Sequence, residues 1–410
     1  MAECPGVLHL AEMADGGLAR LRAPGGALTA GQARAVADAA ERLGSSVIDL
    51  TNRANLQIRG LAPDGGGALA AAFGSAGMAF HGEADRRRNI LLDPLSGIDP
   101  QELRDLRPLA RALDEALVAA EWIGRLSPKF SFVLDGGGAS RVGAVASDVS
   151  AIAAPDGIAL SAAGMRALAT DHETALAALL ALAEAAAGTG PDARAGDLPE
   201  AALRAALERA GPPDRDAGGP LRRLVPRYGA IPSRAGADAV ALAVPVGRLD
   251  VAMMRFLADA AEDEGEGVVV LAPWPAVVLP GAGRRAADLL ARAENAGFLP
   301  VAVAERLSVT ACAGAPACVR ARERAKSLGA EVLRLAAAEP GRLPAAPRSL
   351  HLSACPKGCA GSAVADLLLL GQSDRDGWTI HAGGAPRRPG PSLGGIEAAE
   401  PGDLLARLAG

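Results

Sequence analysis

The chain has 410 residues, a formal net charge of −5, an ordinary charged fraction of 22%, and only one Tyr, three Trp and six Phe. That length supports two or three domains with separate cores. An acidic balance with so few aromatic side chains excludes a bulk nucleic-acid binder and offers no base-stacking platform.

Residues 20–60 read as strand, helix, strand. Arg20-Leu21-Arg22 alternates, and Pro24-Gly25-Gly26 turns the chain. Thr29 caps a helix whose apolar positions Ala33, Val36, Ala37 and Ala40 recur at helical spacing, and Gly44 ends it. Residues 47–50 form a short strand that leads into 51–60. If 51–60 is itself a strand, Arg53, Asn55, Gln57 and Arg59 share one face, while Ala54, Leu56 and Ile58 share the other. The row of donors is then either a solvated sheet face or a ligand face.

The same unit recurs without a gap at a spacing of 221 residues. Pro24 matches Pro245, Leu28 matches Leu249, Ala37-Asp38-Ala39-Ala40-Glu41 matches Ala258-Asp259-Ala260-Ala261-Glu262, and Gly44 and Gly60 match Gly265 and Gly281. Such self-similarity marks a duplication and predicts two pseudo-symmetric mates. The copies differ in one respect. Arg20 and Arg22 become Ala241 and Ala243, and the four donors become Trp274, Ala276, Val278 and Pro280. The first copy therefore reads as specialised for an anionic ligand, and the second as scaffold.

Between the copies, Asp85-Arg86-Arg87-Arg88-Asn89 is a cationic cluster, and residues 128–134 read as a strand entering Asp135-Gly136-Gly137-Gly138. Arg22, Arg53, Arg59, Arg88 and Lys129 could line one anion-binding cavity, because guanidinium forks match carboxylates. The most apolar stretch, 174–188, is too short for a membrane span and is interrupted by Glu184. Residues 188–237 are rich in Pro, Gly, Asp and Arg, and read as a connector with one helix near 200–210. Strands at 268–271 and 277–279, then Gly281-Ala282-Gly283, a helix, and a strand at 301–304 imitate a dinucleotide-binding unit. The duplication already accounts for Gly281, so that motif is weak.

Four of the five cysteines fall in two Gly/Pro-rich turns, Cys312 with Cys318 and Cys355 with Cys359. Soft thiolates suit iron–sulfur clusters, zinc and copper(I). The five-residue gap between Cys312 and Cys318 exceeds the usual zinc knuckle, which favours an iron–sulfur centre. Cys4 stands apart, and the five histidines form no metal-spaced set. The opening Met-Ala-Glu-Cys-Pro-Gly shows no secretory pattern, so a soluble cytoplasmic protein with reduced thiols and no membrane partner is expected.

With these residues assembled, the chain resembles the siroheme-dependent sulfite and nitrite reductase superfamily, and within it the precorrin-3B synthases. The resemblance covers nearly the whole chain and is carried by Arg22-Ala-Pro-Gly-Gly, residues 50–60, Arg88-Asn89, Pro128-Lys129-Phe130, both cysteine pairs and the duplication. It implies an α+β fold of two ferredoxin-like half-domains (1–65 and 238–300) and two reductase-type α/β domains (66–187 and 301–410), related by a pseudo-twofold axis, with 188–237 as connector. It also implies a [4Fe–4S] cluster on Cys312, Cys318, Cys355 and Cys359. In the reductases, Arg and Lys hold siroheme's carboxylates and the anion on its iron. The matching positions are Arg22, Arg53, Arg88 and Lys129, with Arg88 and Lys129 expected nearest the chemistry and Asn55, Gln57 and Arg59 completing the face.

Two departures matter. Where the sulfite reductases show Lys-Phe-Lys, this chain has Lys129-Phe130-Ser131, so a cation aimed at the oxyanion is missing; Gly361-Ser362 also replaces a His-Pro that relatives often carry. Losing a buried cation costs a site several kcal/mol, of order 3–5, of anion affinity, which favours a synthase over a reductase. The implied reaction is oxygen-dependent hydroxylation and lactone formation on precorrin-3A in aerobic cobalamin biosynthesis. Its co-substrates are O2 and NADH, the latter acting through an electron-donating reductase partner. The alternatives are a siroheme-containing reductase, in which Cys359 could bridge cluster and siroheme iron, and a non-catalytic iron–sulfur or tetrapyrrole carrier.

Overall fold

The computed structural model describes residues 4–215, 223–234, 238–372 and 374–409. The first copy runs β1 (Ala11–Met13), β2 (Gly16–Leu21), β3 (Ala27–Thr29), α1 (Ala30–Leu43), β4 (Val47–Leu50), β5 (Leu56–Leu61) and α2 (Gly66–Gly74). Thr29 and Gln32 form a reciprocal capping box that starts α1, and the Gly44 amide donates to the Ala40 carbonyl at its end. The helix α2 buries Leu69 and Phe73 against the same core as α1, so it packs with this half-domain.

The first reductase-type unit follows as β6 (Ile90–Leu92), α3 (Arg107–Ala119), β7 (Phe132–Asp135), β8 (Val149–Ala154), β9 (Gly157–Ala162), β10 (Met165–Ala169), α4 (His172–Thr189), α5 (Glu200–Leu207) and β11 (Asp214–Arg215). The second copy comprises β12 (Gly229–Ile231), β13 (Ala239–Ala243), β14 (Arg248–Asp250), α6 (Val251–Glu264), β15 (Val268–Leu271), β16 (Ala276–Leu279) and α7 (Ala286–Asn295). Last come α8 (Val301–Arg306), β17 (Leu307–Ala311), α9 (Ala325–Ala338), β18 (Arg348–Ser353), β19 (Ala365–Gly371), β20 (Trp378–Ala385), β21 (Arg388–Pro389), β22 (Ser392–Ile396) and α10 (Pro401–Ala409).

The copies exchange strands. The first sheet has the order β1-β2-β5-β4-β14 and the second β12-β13-β16-β15-β3, so each accepts a three-residue strand from the other copy as its edge. Leu28 pairs with Val269, and its duplicate Leu249 pairs with Ile48. Helices α1 and α6 pack together in the shared central core. Across them, Arg34 pairs with Asp259 and Glu262, while its counterpart Arg255 pairs with Asp38 and Glu41. Gly60 and Gly281 share φ of 71° and 77°. The reductase-type sheets also match, each containing three adjacent parallel strands: β6-β7-β8 and β17-β18-β19.

Several local expectations change. Residues 51–55 form a turn before β5, because the Thr51 hydroxyl accepts from the Arg53 and Asn55 amides and Ala54 takes a φ of 51°. Pro128 and Lys129 lie in a turn, and the strand starts at Phe132. Residues 301–304 are helical, with Pro300 at the N-cap of α8, and the strand that follows is β17. With β15 and β16 antiparallel as well, the imitation of a dinucleotide-binding unit dissolves. In the expected connector 188–237, α5 joins the core beneath β10 and β12 joins the second sheet; residues 216–222 and 235–237 lie outside the described residues. Among the described residues, no helix is long and apolar enough to cross a membrane.

Candidate active site: a cationic cleft beside two cysteine pairs

The first sheet presents one continuous polar row. Arg20 on β2 lies opposite Gln57 on β5, Gln57 opposite Asp49 on β4, and Asp49 opposite Arg248 on β14. Side chains at paired positions of adjacent strands share a face, and Arg20, Gln57 and Asp49 line a half-open cleft of about 430 Å³. The preceding turn adds Arg53 and Asn55, and β5 adds Arg59. In the second sheet the equivalent row is Ala241, Val278, Val270 and Ala27. There, three of the four side chains are packed under Leu95 and Ile98. One copy keeps a polar row in its cleft; the other's row is apolar, and Val270 and Ala27 line a second cleft of about 610 Å³.

The cations of the cleft differ in their partners. Arg20 Nε and Arg53 Nη1 are buried without a hydrogen-bond partner. Burial lowers the proton affinity of both side chains, but guanidinium stays charged, so these are desolvated cations lacking an anion. Arg53 Nη2 donates to the Ala146 carbonyl at 2.5 Å. Arg59 is already matched by Asp15 at 2.8 and 3.0 Å and donates to the Ala317 carbonyl between Cys312 and Cys318. Lys326 on α9 meets Asp49 at 3.0 Å, and Arg248 grips the same carboxylate through two bonds of 2.8 and 3.0 Å. Asp49 is consequently held down at about 2: its burial would raise it, but Lys326 and Arg248 outweigh that.

The thiols gather where β17 and β18 end. Because these strands are parallel neighbours, the loops after Ala311 and Ser353 leave the same sheet edge together. The Cys312 amide donates to Leu352, and the Ala354 amide donates to Cys312 Sγ at 3.2 Å. Gly314 turns the loop with a φ of 68°, where any Cβ would lie 2.6 Å from the Ala325 amide nitrogen. Burial pushes the Cys312 thiol up, and the neighbouring Cys355 and Cys359 push the same way; Cys359 in turn feels Cys355 and Cys318. All five cysteines are free thiols. Among the described residues, no three His, Cys, Asp or Glu side chains converge closely enough to hold a single ion. A four-iron cube asks for a wider set, since each cysteine binds its own iron. Four thiols on the loops that leave one sheet edge, one of them already accepting an amide hydrogen bond, fit such a cluster. Cys312 and Cys359 reach the cleft wall.

Arg53, Asn55, Gln57 and Arg59 thus meet in the cleft, whereas Arg22, Arg88 and Lys129 do not line it. Arg22 is buried behind the wall, bonded to Asn89 Oδ1 at 2.7 Å and to the Pro5 and Asp85 carbonyls. Burial, with help from Arg20, lowers it to about 9. Its partner Asn89 does face the cleft and donates back to Pro128 and Phe130. Arg88 pairs with Asp114 at 2.9 Å, and Lys129 is exposed in its turn. Ser131 is buried and donates to Asp148, which Arg194 also holds. Sequence reasoning missed Arg20, Asn89, Asp49 and Lys326 as cleft residues. Parity alone could have found Arg20, which alternates with the inward Leu21; Lys326 gave no local signal.

The model of the nitrite/sulfite reductase ferredoxin-like half domain matches residues 11–75 and again 231–296. Precorrin-3B synthase of Sinorhizobium sp is 32% identical over 400 residues, covering 93% of this chain and 84% of that protein. Ferredoxin–nitrite reductase of Synechococcus elongatus is 28% identical over 406 residues, covering 89% of this chain and 78% of that one. Among solved structures, the Mycobacterium tuberculosis NirA protein superposes with a TM-score of 0.75 at 18% identity, over 95% of this chain and 80% of its own, which shows the shared fold. With one relative matched almost end to end and the half-domain present twice, the chain belongs to the precorrin-3B synthase family, built on the nitrite/sulfite reductase fold.

Proposed function

We propose that this chain carries out the precorrin-3B synthase reaction: oxygen-dependent hydroxylation of precorrin-3A with closure of an acetate arm to a lactone. The observation that carries the reading is the pair of buried, partnerless arginine donors, Arg20 Nε and Arg53 Nη1, in a cleft walled by Cys312 and Cys359. Such donors ask for carboxylates, and a tetrapyrrole with acetate and propionate arms supplies them. The 32% identity to a precorrin-3B synthase over 93% of the chain supports this substrate among tetrapyrroles.

In this account Arg20 and Arg53 bind the acidic arms. Asn55, Gln57 and Asn89 offer neutral hydrogen bonds to the rim, and Arg22 holds Asn89 in place. Arg59 ties the half-domain to the loop between Cys312 and Cys318. Cys312, Cys318, Cys355 and Cys359 would hold a [4Fe–4S] cluster, which when bound supplies single electrons for dioxygen chemistry. The electrons derive from NADH through a partner reductase. Its docking side would be the surface beside the exposed Cys359, where Lys357 and Arg320 lie and Arg387 bonds the Lys357 carbonyl. A monooxygenase of the cytoplasm is the corresponding class.

A siroheme-dependent nitrite or sulfite reductase is the second reading, favoured by the match to ferredoxin–nitrite reductase and by Cys359 standing at the cleft wall. The optical spectrum of purified protein separates the two. A broad brown shoulder without a strong Soret band is expected; stoichiometric siroheme would overturn the synthase reading.

A further inference from the structure

We infer that Asp49 fixes which edge of the bound macrocycle faces the thiol wall, by answering the cations on that side; this rests on reading the cleft as a site for tetrapyrrole carboxylates. Among the described residues lining the cleft, Asp49 is the only carboxylate. It does not sit at the rim but inside the polar row, between Gln57 and Arg248.

The charge of the cleft is therefore uneven. Arg20 Nε, across Gln57 from Asp49, and Arg53 Nη1, in the turn before β5, have no partner. Toward Cys312, the cations are already answered: Lys326 by Asp49 at 3.0 Å, and Arg59 by Asp15 at 2.8 and 3.0 Å. A carboxylate arm at Arg20 or at Arg53 completes an empty donor. The same arm beside Asp49 meets Lys326 and Arg248 already answered by one carboxylate, so less attraction is left for it there than at Arg20 and Arg53.

Asp49 cannot swing aside to free those two cations. It is clamped by Arg248 from the exchanged strand β14 and by Lys326 from α9, two elements outside its own half-domain. Its duplicate is Val270, so the second copy carries no such sign. A macrocycle with acidic arms around its rim could enter in several rotational settings, and specificity is a difference of affinities, set here by which cations remain unanswered. The least acidic edge is thereby presented to Cys312, and the arms to Arg20 and Arg53.

Two porphyrin probes titrated into the as-purified holoprotein test this: uroporphyrin III, with acid arms on every edge, and deuteroporphyrin IX, with its two acid arms on one edge. Asp49→Asn is expected to tighten the all-edge probe by about tenfold while leaving the one-edge probe within about twofold. Asp49→Asn/Lys326→Met keeps the net charge and strands no buried lysine, and it should shift the ratio of the two affinities in the same direction. Equal tightening of both probes, or no change in their ratio in either variant, overturns the inference. If wild-type protein binds neither probe, the tetrapyrrole reading itself fails, which is a different result.

Discussion

Arg20 and Asp49 lie two strands apart in one row, and their environments set them opposite tasks. Arg20 keeps a buried donor with nothing to bond, whereas Asp49 is saturated by two cations. Substituting Arg20 or Arg53 by Ala should weaken carboxylate-bearing porphyrins by about 1.5–3 kcal/mol, roughly ten- to a hundredfold, as expected for a charge-assisted hydrogen bond. Arg88→Ala should change the same titration by less than about twofold, because its partner is Asp114 outside the cleft. A second titratable group sets a stability slope. Burial pushes Asp93 up to about 7, against bonds from Ser140 and the Leu95 amide. A carboxyl raised in the folded state favours folding fully below its unfolded value near 4 and loses that contribution as pH rises through 7. Wild-type stability should fall by a few kcal/mol, of order 2–4, between pH 4 and 8 through this group, and Asp93→Asn should flatten that slope in urea titrations. At this scale the sequence was readable where parity governs: Gln57 and Arg59 on β5 line the cleft, joined by Arg53 and Asn55 from the turn before it. Arg22 and Lys129 were not readable as non-lining residues, because turn geometry, not strand parity, decides where they point.

Among the elements, the reciprocal exchange of β3 and β14 welds the two copies. Leu28 and Leu249 carry these strands into the opposite sheets and are buried. Leu249→Ala should cost about 2–5 kcal/mol, and the loss should appear as one shifted transition, not as early melting of one half. Separate transitions by fluorescence and far-UV dichroism would contradict the interlocked arrangement. The Arg34 and Arg255 ion pairs are half-exposed and contribute little. The spacing of 221 residues made both copies legible, down to matched glycines. The exchange was not legible, since a three-residue strand carries no record of which sheet completes it. The helix at Val301–Arg306 was missed for a related reason: a short apolar run fits either period, and only Pro300 before it marks a helix start.

For the whole molecule, duplication followed by divergence explains the layout. The first copy carries a polar row, the second an apolar one, and the second reductase-type unit brings its cysteine loops against the polar cleft. The thiol pairs were conspicuous in the sequence; that Lys326 and Arg59 would bind the thiol-bearing unit to the first half-domain was not, because those contacts span 277 and 258 residues. Cys355→Ser should lower iron and acid-labile sulfide together while leaving porphyrin binding within about threefold, since Cys355 is not in the cleft wall. The most direct test of the central claim is product analysis after anaerobically reconstituted protein meets precorrin-3A, ¹⁸O2 and a reducing system. A hydroxylactone carrying label from dioxygen is expected. Unchanged precorrin-3A, together with siroheme in the protein and reduction of nitrite or sulfite, would contradict it.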